Sequence, residues 1–117
     1  MLSKNYRLTK NGSFSYLYAH GVRVPAKLIK LNYVLSKSGV KIGFSVNNKI
    51  GKAVVRNKVK RRMRAIMQKY VDRIKPCQAV FIASVGVDQL SYASLCKQIH
   101  KCLVKAELLD EKEEWFT

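Results

Sequence analysis

Between Ala53 and Ile74 apolar residues return every three or four positions: Val55, Val59, Met63, Ile66, Met67, Tyr70 and Ile74. That is the period of an α-helix with one buried stripe. Nearly everything between them is cationic, and six of the nine residues from 56 to 64 are Lys or Arg. On a wheel of about 100° per residue, Arg56, Lys60 and Arg64 stack beside the stripe, with Asn57 and Arg61 next to them. Lys58, Arg62 and Lys69 flank its other side. Such a helix must press its stripe onto a neighbouring element and leave a rail of like charge in water. A solvated helix ordinarily mixes signs at four-residue spacing to gain ion pairs. Here no acid precedes Asp72. A polyanion relieves that repulsion, and nucleic acid is the commonest one. Arginine forks match phosphates and stack on bases, and the Asn57 amide is able to read a base edge or a ribose hydroxyl. This segment does not decide between DNA and RNA.

The rest of the chain supplies the neighbour. A short helix is predicted from Ser13 to His20, closed by Gly21, with Phe14, Leu17 and Tyr18 on one face. Val22–Val24 reads as a short strand ending at Pro25. Leu28–Leu35 and Val40–Val46 alternate as strands on either side of a Ser38-Gly39 turn. Ile29, Leu31, Tyr33 and Leu35, then Val40, Ile42, Phe44 and Val46, make one apolar sheet face. Leu28, Lys30, Asn32 and Val34, with Lys41, Gly43 and Ser45, make the other face, read as polar with small residues and scattered Lys. Residues 47–51 form a loop, and the basic helix runs from Ala53 to Ile74, stopping before Pro76. Ala79–Val85 is an apolar run expected as a buried strand. Ser91 caps a last helix carrying Tyr92, Leu95, Cys96, Ile99, Cys102, Leu103 and Ala106 on its apolar face. The order α-β-β-β-α-β-α predicts an α/β (α+β) two-layer sandwich around one four-stranded sheet. No repeat, low-complexity stretch or linker divides it.

Charge is as uneven as it is large. The 117 residues carry 23 Lys or Arg against 7 Asp or Glu, a formal net charge of +16. Residues 1–71 hold 17 of the basic residues and none of the acids, whereas five acids crowd the last 11 positions. A sided distribution of this kind is the electrostatic footprint of a nucleic-acid partner. The three cysteines, Cys77, Cys96 and Cys102, have no C-x-x-C spacing and are expected as buried thiols in a reducing cytosol. No signal peptide and no apolar run of membrane-crossing length is visible, which places the chain in the cytoplasm with no membrane partner. His20 and His100 stand alone and are expected to be structural. Asp72, Asp88 and the C-terminal glutamates do not form an acid/base pair or a metal cage, and no phosphate-binding glycine loop occurs. Phe14 and Tyr18 are candidates for stacking on unpaired bases beside the polar sheet face, although helical aromatics more often belong to a core. Lys30 and Asn32 are candidates on that face, with plain solvation as the alternative.

The run Arg56-Asn57-Lys58-Val59-Lys60-Arg61-Arg62-Met63-Arg64 resembles the R-N-x-x-K-R-x-x-R signature of the bacterial ribonuclease P protein subunit. Phe44-Ser45-Val46, Lys49-Ile50-Gly51 and the Arg7-Leu8, Phe14, Gly21 pattern fit the same family, over roughly residues 5–110. The resemblance implies a left-handed crossover through the basic helix. It implies a protein that assists a catalytic RNA in removing the 5′ leader of precursor tRNA. In such an assembly the catalytic centre lies in the RNA, with Mg²⁺ bound mainly by that RNA, and the protein has no catalytic residue, metal site or organic cofactor of its own. Arg56, Asn57, Lys58, Lys60, Arg61, Arg62 and Arg64 would then contact the RNA subunit, and Phe14, Tyr18, Lys30, Asn32 and Lys49 the single-stranded leader. On this reading residues 1–117 form one RNA-binding domain, with a basic arm at 1–11 and an acidic tail at 110–117. The chain departs from the family in three places. Ala65 stands where Glu or Gln is frequent, Asn32 where an aromatic is frequent, and Tyr18 where Phe is common. A purely structural RNA-binding protein is the alternative from a different class; a protein-only nuclease would need carboxylates or histidines that do not cluster here.

Overall fold

The computed structural model describes residues 6–8, 11–37 and 39–109. Most of the predicted basic arm, the whole acidic tail at 110–117 and Ser38 of the predicted turn lie outside these residues. Three helices, α1 (Asn11–His20), α2 (Ala53–Gln68) and α3 (Tyr92–Lys105), accompany four strands, β1 (Val22–Val24), β2 (Ile29–Leu35), β3 (Lys41–Val46) and β4 (Cys77–Ala83). The strands form one sheet in the order β1-β2-β4-β3. β2 runs antiparallel to both β1 and β4, while β3 and β4 lie parallel and are joined through α2.

The predicted alternation decides which residues meet across the sheet. Ile29, Leu31, Ile42, Ala79, Phe81 and Ala83 share the face that α2 and α3 cover. α2 contributes Val59, Met63, Ile66 and Met67, and α3 contributes Leu95, Cys96, Ile99, Cys102 and Leu103. Magnitudes explain why an acid-free helix folds here. Burying one aliphatic or Met side chain is worth roughly 1.5–3 kcal/mol. A like-charge pair at four-residue spacing costs only a few tenths of a kcal/mol. The four buried residues of α2 therefore outweigh the pairs Arg56–Lys60, Lys60–Arg64 and Lys58–Arg62 several-fold.

The opposite face is not uniformly polar. α1 lies across it, and Leu8, Leu17 and Val80 form a second small core with Phe14, Val34 and Ile82 packed around it. β4 supplies apolar residues to both sides, as its unbroken apolar run requires. The amide of Leu8 donates to Ile42 O at 2.8 Å, and Arg7 bridges Ile42 in parallel, so this part of the arm extends along the edge of β3.

Several boundaries differ from those predicted, β2 and β3 each by starting one residue later, at Ile29 and Lys41. α1 begins at Asn11 rather than Ser13. α2 ends at Gln68 rather than Ile74, because Lys69 N and Tyr70 N turn back to carbonyls three residues behind, Ile66 O and Met67 O. That tighter turn keeps Tyr70, Val71 and Ile74 in the core after the regular helix has stopped. β4 runs two residues earlier than expected and leaves Val85 exposed. The chain turns at Ser84, whose amide bonds Leu28 O, and at Gly86, whose φ of 101° suits glycine. A shift of two preserves the faces.

Candidate nucleic-acid interface

Pairing register builds the polar side of the sheet. Arg23 pairs with Asn32, Asn32 with Val80 and Val80 with Gly43, so one row crosses all four strands. The next row places Lys30, Ile82 and Ser45 side by side. α1 covers the Gly43 end. A Cβ added to Gly43 would come within 2.7 Å of Phe14 Cζ, so the absent side chain is what lets the Phe14 ring rest on the sheet. Leu17 points inward and is fully buried, which leaves Tyr18, four residues after Phe14, 39% exposed at the edge of α1.

Beyond α1 the face opens into a hollow of about 300 Å³ lined by Arg23, Val24, Pro25, Lys30 and Asn32. Asn32 is only 4% exposed. Its amide makes no side-chain hydrogen bond within the described protein, and no buried side-chain nitrogen or oxygen there lacks a partner. The amide therefore keeps a small part of its polar surface accessible at the hollow it lines, and the protein uses none of its hydrogen-bonding capacity among the described side chains. Lys30 is exposed at the rim. Arg23, which pattern reading passed over inside a three-residue strand, donates to Tyr18 O at 3.3 Å and so ties β1 to α1. Only the β1–β2 register could have pointed to it. Lys49 is exposed in a single 3-10 turn, Asn48–Ile50, which follows β3 at the end of the sheet where Lys30 lies; its amide donates to Asn47 Oδ1 at 2.9 Å. Of the five expected leader residues, the fold thus gathers Phe14, Tyr18, Lys30 and Asn32 on the α1 side of the sheet and sets Lys49 at its end.

The same turn leads into α2. No acid occupies the first turn of this helix, and its N-cap residue, Lys52, makes no side-chain cap. The positive end of the helix dipole is thus left without a neutralising carboxylate. Arg56 is fixed there, with Nε donating to Gly51 O at 3.2 Å and Nη1 to Asn48 Oδ1 at 2.8 Å. Two of its five N–H groups are used in these bonds and the rest remain. Asn57, Lys58 and Arg61 are exposed, and Lys60 and Arg64 half-buried. None of these five side chains makes a hydrogen bond or ion pair among the described residues. Arg62 leans the other way, donating to Leu90 O at 3.3 Å, and Lys69 Nζ sits 5.6 Å from the centre of the Tyr92 ring. Arg61 belongs to both flanks of the rail, since it also lines a shallow hollow with Lys58, Arg62, Ala65 and Tyr92. Ala65, half-buried, forms part of that floor.

Other titratable groups lie apart from these surfaces. Cys77, Cys96 and Cys102 are free and buried. Burial pushes the Cys77 and Cys102 thiols up to about 11, and raises Cys96 as well, against the opposing charge of Lys69. They are protonated and poorly nucleophilic at neutral pH. His100 is buried, with Nδ1 3.0 Å from the Tyr70 hydroxyl, and His20 is exposed against Tyr16. No group of three or more His, Cys, Asp or Glu is placed to hold a metal ion among the described residues, and no helix there is long and apolar enough to cross a membrane.

Comparison with known proteins bears on the family and the fold. Residues 2–107 match the family described as Ribonuclease P. The ribonuclease P protein component of Streptococcus pyogenes serotype M5 (strain Manfredo) is 32% identical over 111 residues, covering 94% of this chain and 93% of that protein. The 2.0 Å structure of the Staphylococcus aureus RNase P protein superposes with a TM-score of 0.83 at 25% identity, covering 90% of this chain and 98% of that one. The RNase P protein of Thermotoga maritima shares the fold, with a TM-score of 0.77 at 20% identity over 85% of this chain and 96% of that one. With its sheet, its crossover helix and nearly its whole length accounted for, the chain belongs to the ribonuclease P protein component family.

Proposed function

We propose that this protein, as a subunit of ribonuclease P, docks a catalytic RNA along α2 and holds the 5′ leader of precursor tRNA in the cleft between α1 and the sheet. The observation that carries this reading is the rail itself. Asn57, Lys60, Arg61 and Arg64 line one flank of a helix anchored by its buried stripe, with Lys58 on the other flank, and no side chain among the described residues satisfies these five. Arg56 extends the first flank and braces it to the 3-10 turn, and Arg62 braces the other flank to Leu90 O. A partner dense in phosphate supplies what the protein withholds.

The cleft fits a different substrate. Phe14 and Tyr18 offer π-faces to unpaired bases, Lys30 and Lys49 attract their phosphates, and Asn32 presents an amide to a base edge. A duplex exposes no base faces for such contacts, so the cleft suits single-stranded leader. Because the Asn47–Lys52 segment leads from β3 into the first turn of α2, RNA on the rail and leader in the cleft meet around one loop. Hydrolysis is assigned to the RNA and its bound Mg²⁺, with the protein positioning substrate and screening the phosphate charge that the two RNAs bring together. The reading places the protein in the cytoplasm, where precursor tRNA of this kind is processed.

The test is Phe14→Ala in the assembled holoenzyme, with binding measured for precursor and for mature tRNA. The precursor, which alone carries a leader, is expected to bind about 5–150-fold more weakly, following the roughly 1–3 kcal/mol attached to one base–aromatic stack. Mature tRNA should be affected far less. Equal losses for both would return Phe14 to a purely structural role.

A further inference from the structure

A second cationic surface lies on the far side of α3. Lys97, Lys101 and Lys105 follow one another at four-residue intervals along the exposed side of this helix. Across from them stands Lys27, in the connection between β1 and β2. Together with Ala26, Ser94, Gln98 and Cys102 these four lysines line a groove of about 340 Å³. No carboxylate among the described residues lines the groove, and α3 contains none. None of the four ammonium groups makes an ion pair or hydrogen bond among the described residues. Gln98 Oε1 accepts from Leu28 N at 3.0 Å, which pins the side chain and leaves its two N–H donors available.

This surface is separate from the α2 rail. α2 lies against β3, at one edge of the sheet, whereas Gln98 ties α3 to the start of β2 and Lys27 precedes that strand. The bulk of α3 stands between the two charge rows. The groove also differs in chemistry from the cleft, because no described residue lining it carries an aromatic ring on which a base could stack. What it offers is a straight series of point charges, rising about 6 Å per step along the helix, with Ser94 and Gln98 as hydrogen-bonding groups between them. Regular charges without stacking surfaces match the backbone of a paired nucleic acid, which displays phosphates and 2′-hydroxyls while hiding its bases.

We propose that the α3 groove is a second RNA-binding surface, taking the phosphate backbone of a duplex RNA segment other than the one docked on α2. The protein then acts as a clamp between two segments. This rests on the reading of the chain as an RNA-binding subunit, and the following experiment separates the two.

The full-length protein is titrated with a 20-base-pair RNA duplex of arbitrary sequence between about 50 and 200 mM salt, the range over which phosphate contacts govern affinity. Lys97→Ala/Lys101→Ala is compared with Lys37→Ala/Lys41→Ala, which removes the same charge beside the turn before β3. The groove variant is expected to flatten the log–log salt slope by roughly 0.9 for each lost phosphate contact, and the control to change it by less than half as much. Lys97→Arg/Lys101→Arg should retain the wild-type slope. Equal flattening by both alanine pairs, or none by the groove pair, overturns the proposal. Arg61→Ala/Arg64→Ala in the same titration reports on the rail alone. An unchanged slope for that pair with a flattened one for the lysine pair would sink the α2 reading and leave the groove standing.

Discussion

Arg56 and Arg61 show how differently two arginines of one motif are used. Arg56 spends two N–H groups on Asn48 Oδ1 and Gly51 O, so it shapes the entry to α2 as well as carrying charge. Arg61 is exposed and makes no hydrogen bond or ion pair among the described residues. Arg61→Ala and Arg64→Ala are therefore expected to leave stability within about 0.5 kcal/mol of wild type. Each should weaken binding to the catalytic RNA and flatten its salt dependence by about 0.7–0.9 in log–log slope per lost phosphate contact. An unchanged slope would mean that these side chains face only solvent. Gly43 makes the opposite kind of contribution, through the side chain it lacks. Gly43→Ala should displace the Phe14 ring and weaken precursor binding at least several-fold, with mature tRNA little affected. Indifference of the precursor to that change would separate the ring's seat on β3 from leader recognition.

At the scale of elements, α2 is built against its own electrostatics. Its first turn has no acid, its N-cap is Lys52, and the dipole's positive end faces further cations. Val54 lies in that turn and is 78% exposed. Val54→Glu is expected to raise stability by about 0.3–1 kcal/mol, as an acid near a helix N-terminus does, and to weaken binding to the catalytic RNA. Urea unfolding and RNA titration on the same variant check both directions; a variant that gains stability and keeps its affinity would show that the uncapped turn serves no RNA contact. Helix periodicity made the buried side of α2 legible in advance, since Val59, Met63, Ile66, Met67, Tyr70 and Ile74 are all in the core. The helix end was not legible, because Tyr70, Val71 and Ile74 stay buried through a tightened turn whose hydrogen bonds leave no periodic signal. Strand alternation gave the faces of β2 and β3, but it could not show that Val34, Val80 and Ile82 meet under α1. That meeting depends on register, as does the placing of Arg23 beside Asn32.

The whole molecule divides its work between the two sides of one sheet. One side is filled by α2 and α3 and presents cations outward; the other is half covered by α1 and half open as a cleft. What the sequence could convey of this was the charge excess and the spacing of the Arg56–Arg64 motif. What it could not convey was that the Asn47–Lys52 segment leaves β3 at the end of the sheet where Lys30 lies, a placing that depends on β3 and β4 running parallel. The division of labour predicts a protein that is necessary for efficient processing yet inert by itself. The direct measurement is cleavage of precursor tRNA at low Mg²⁺ by the cognate catalytic RNA alone, by the protein alone and by the two together. Rapid leader removal only by the combination is the predicted result; cleavage by the RNA-free protein, or a catalytic RNA that works equally well without it, would contradict the account.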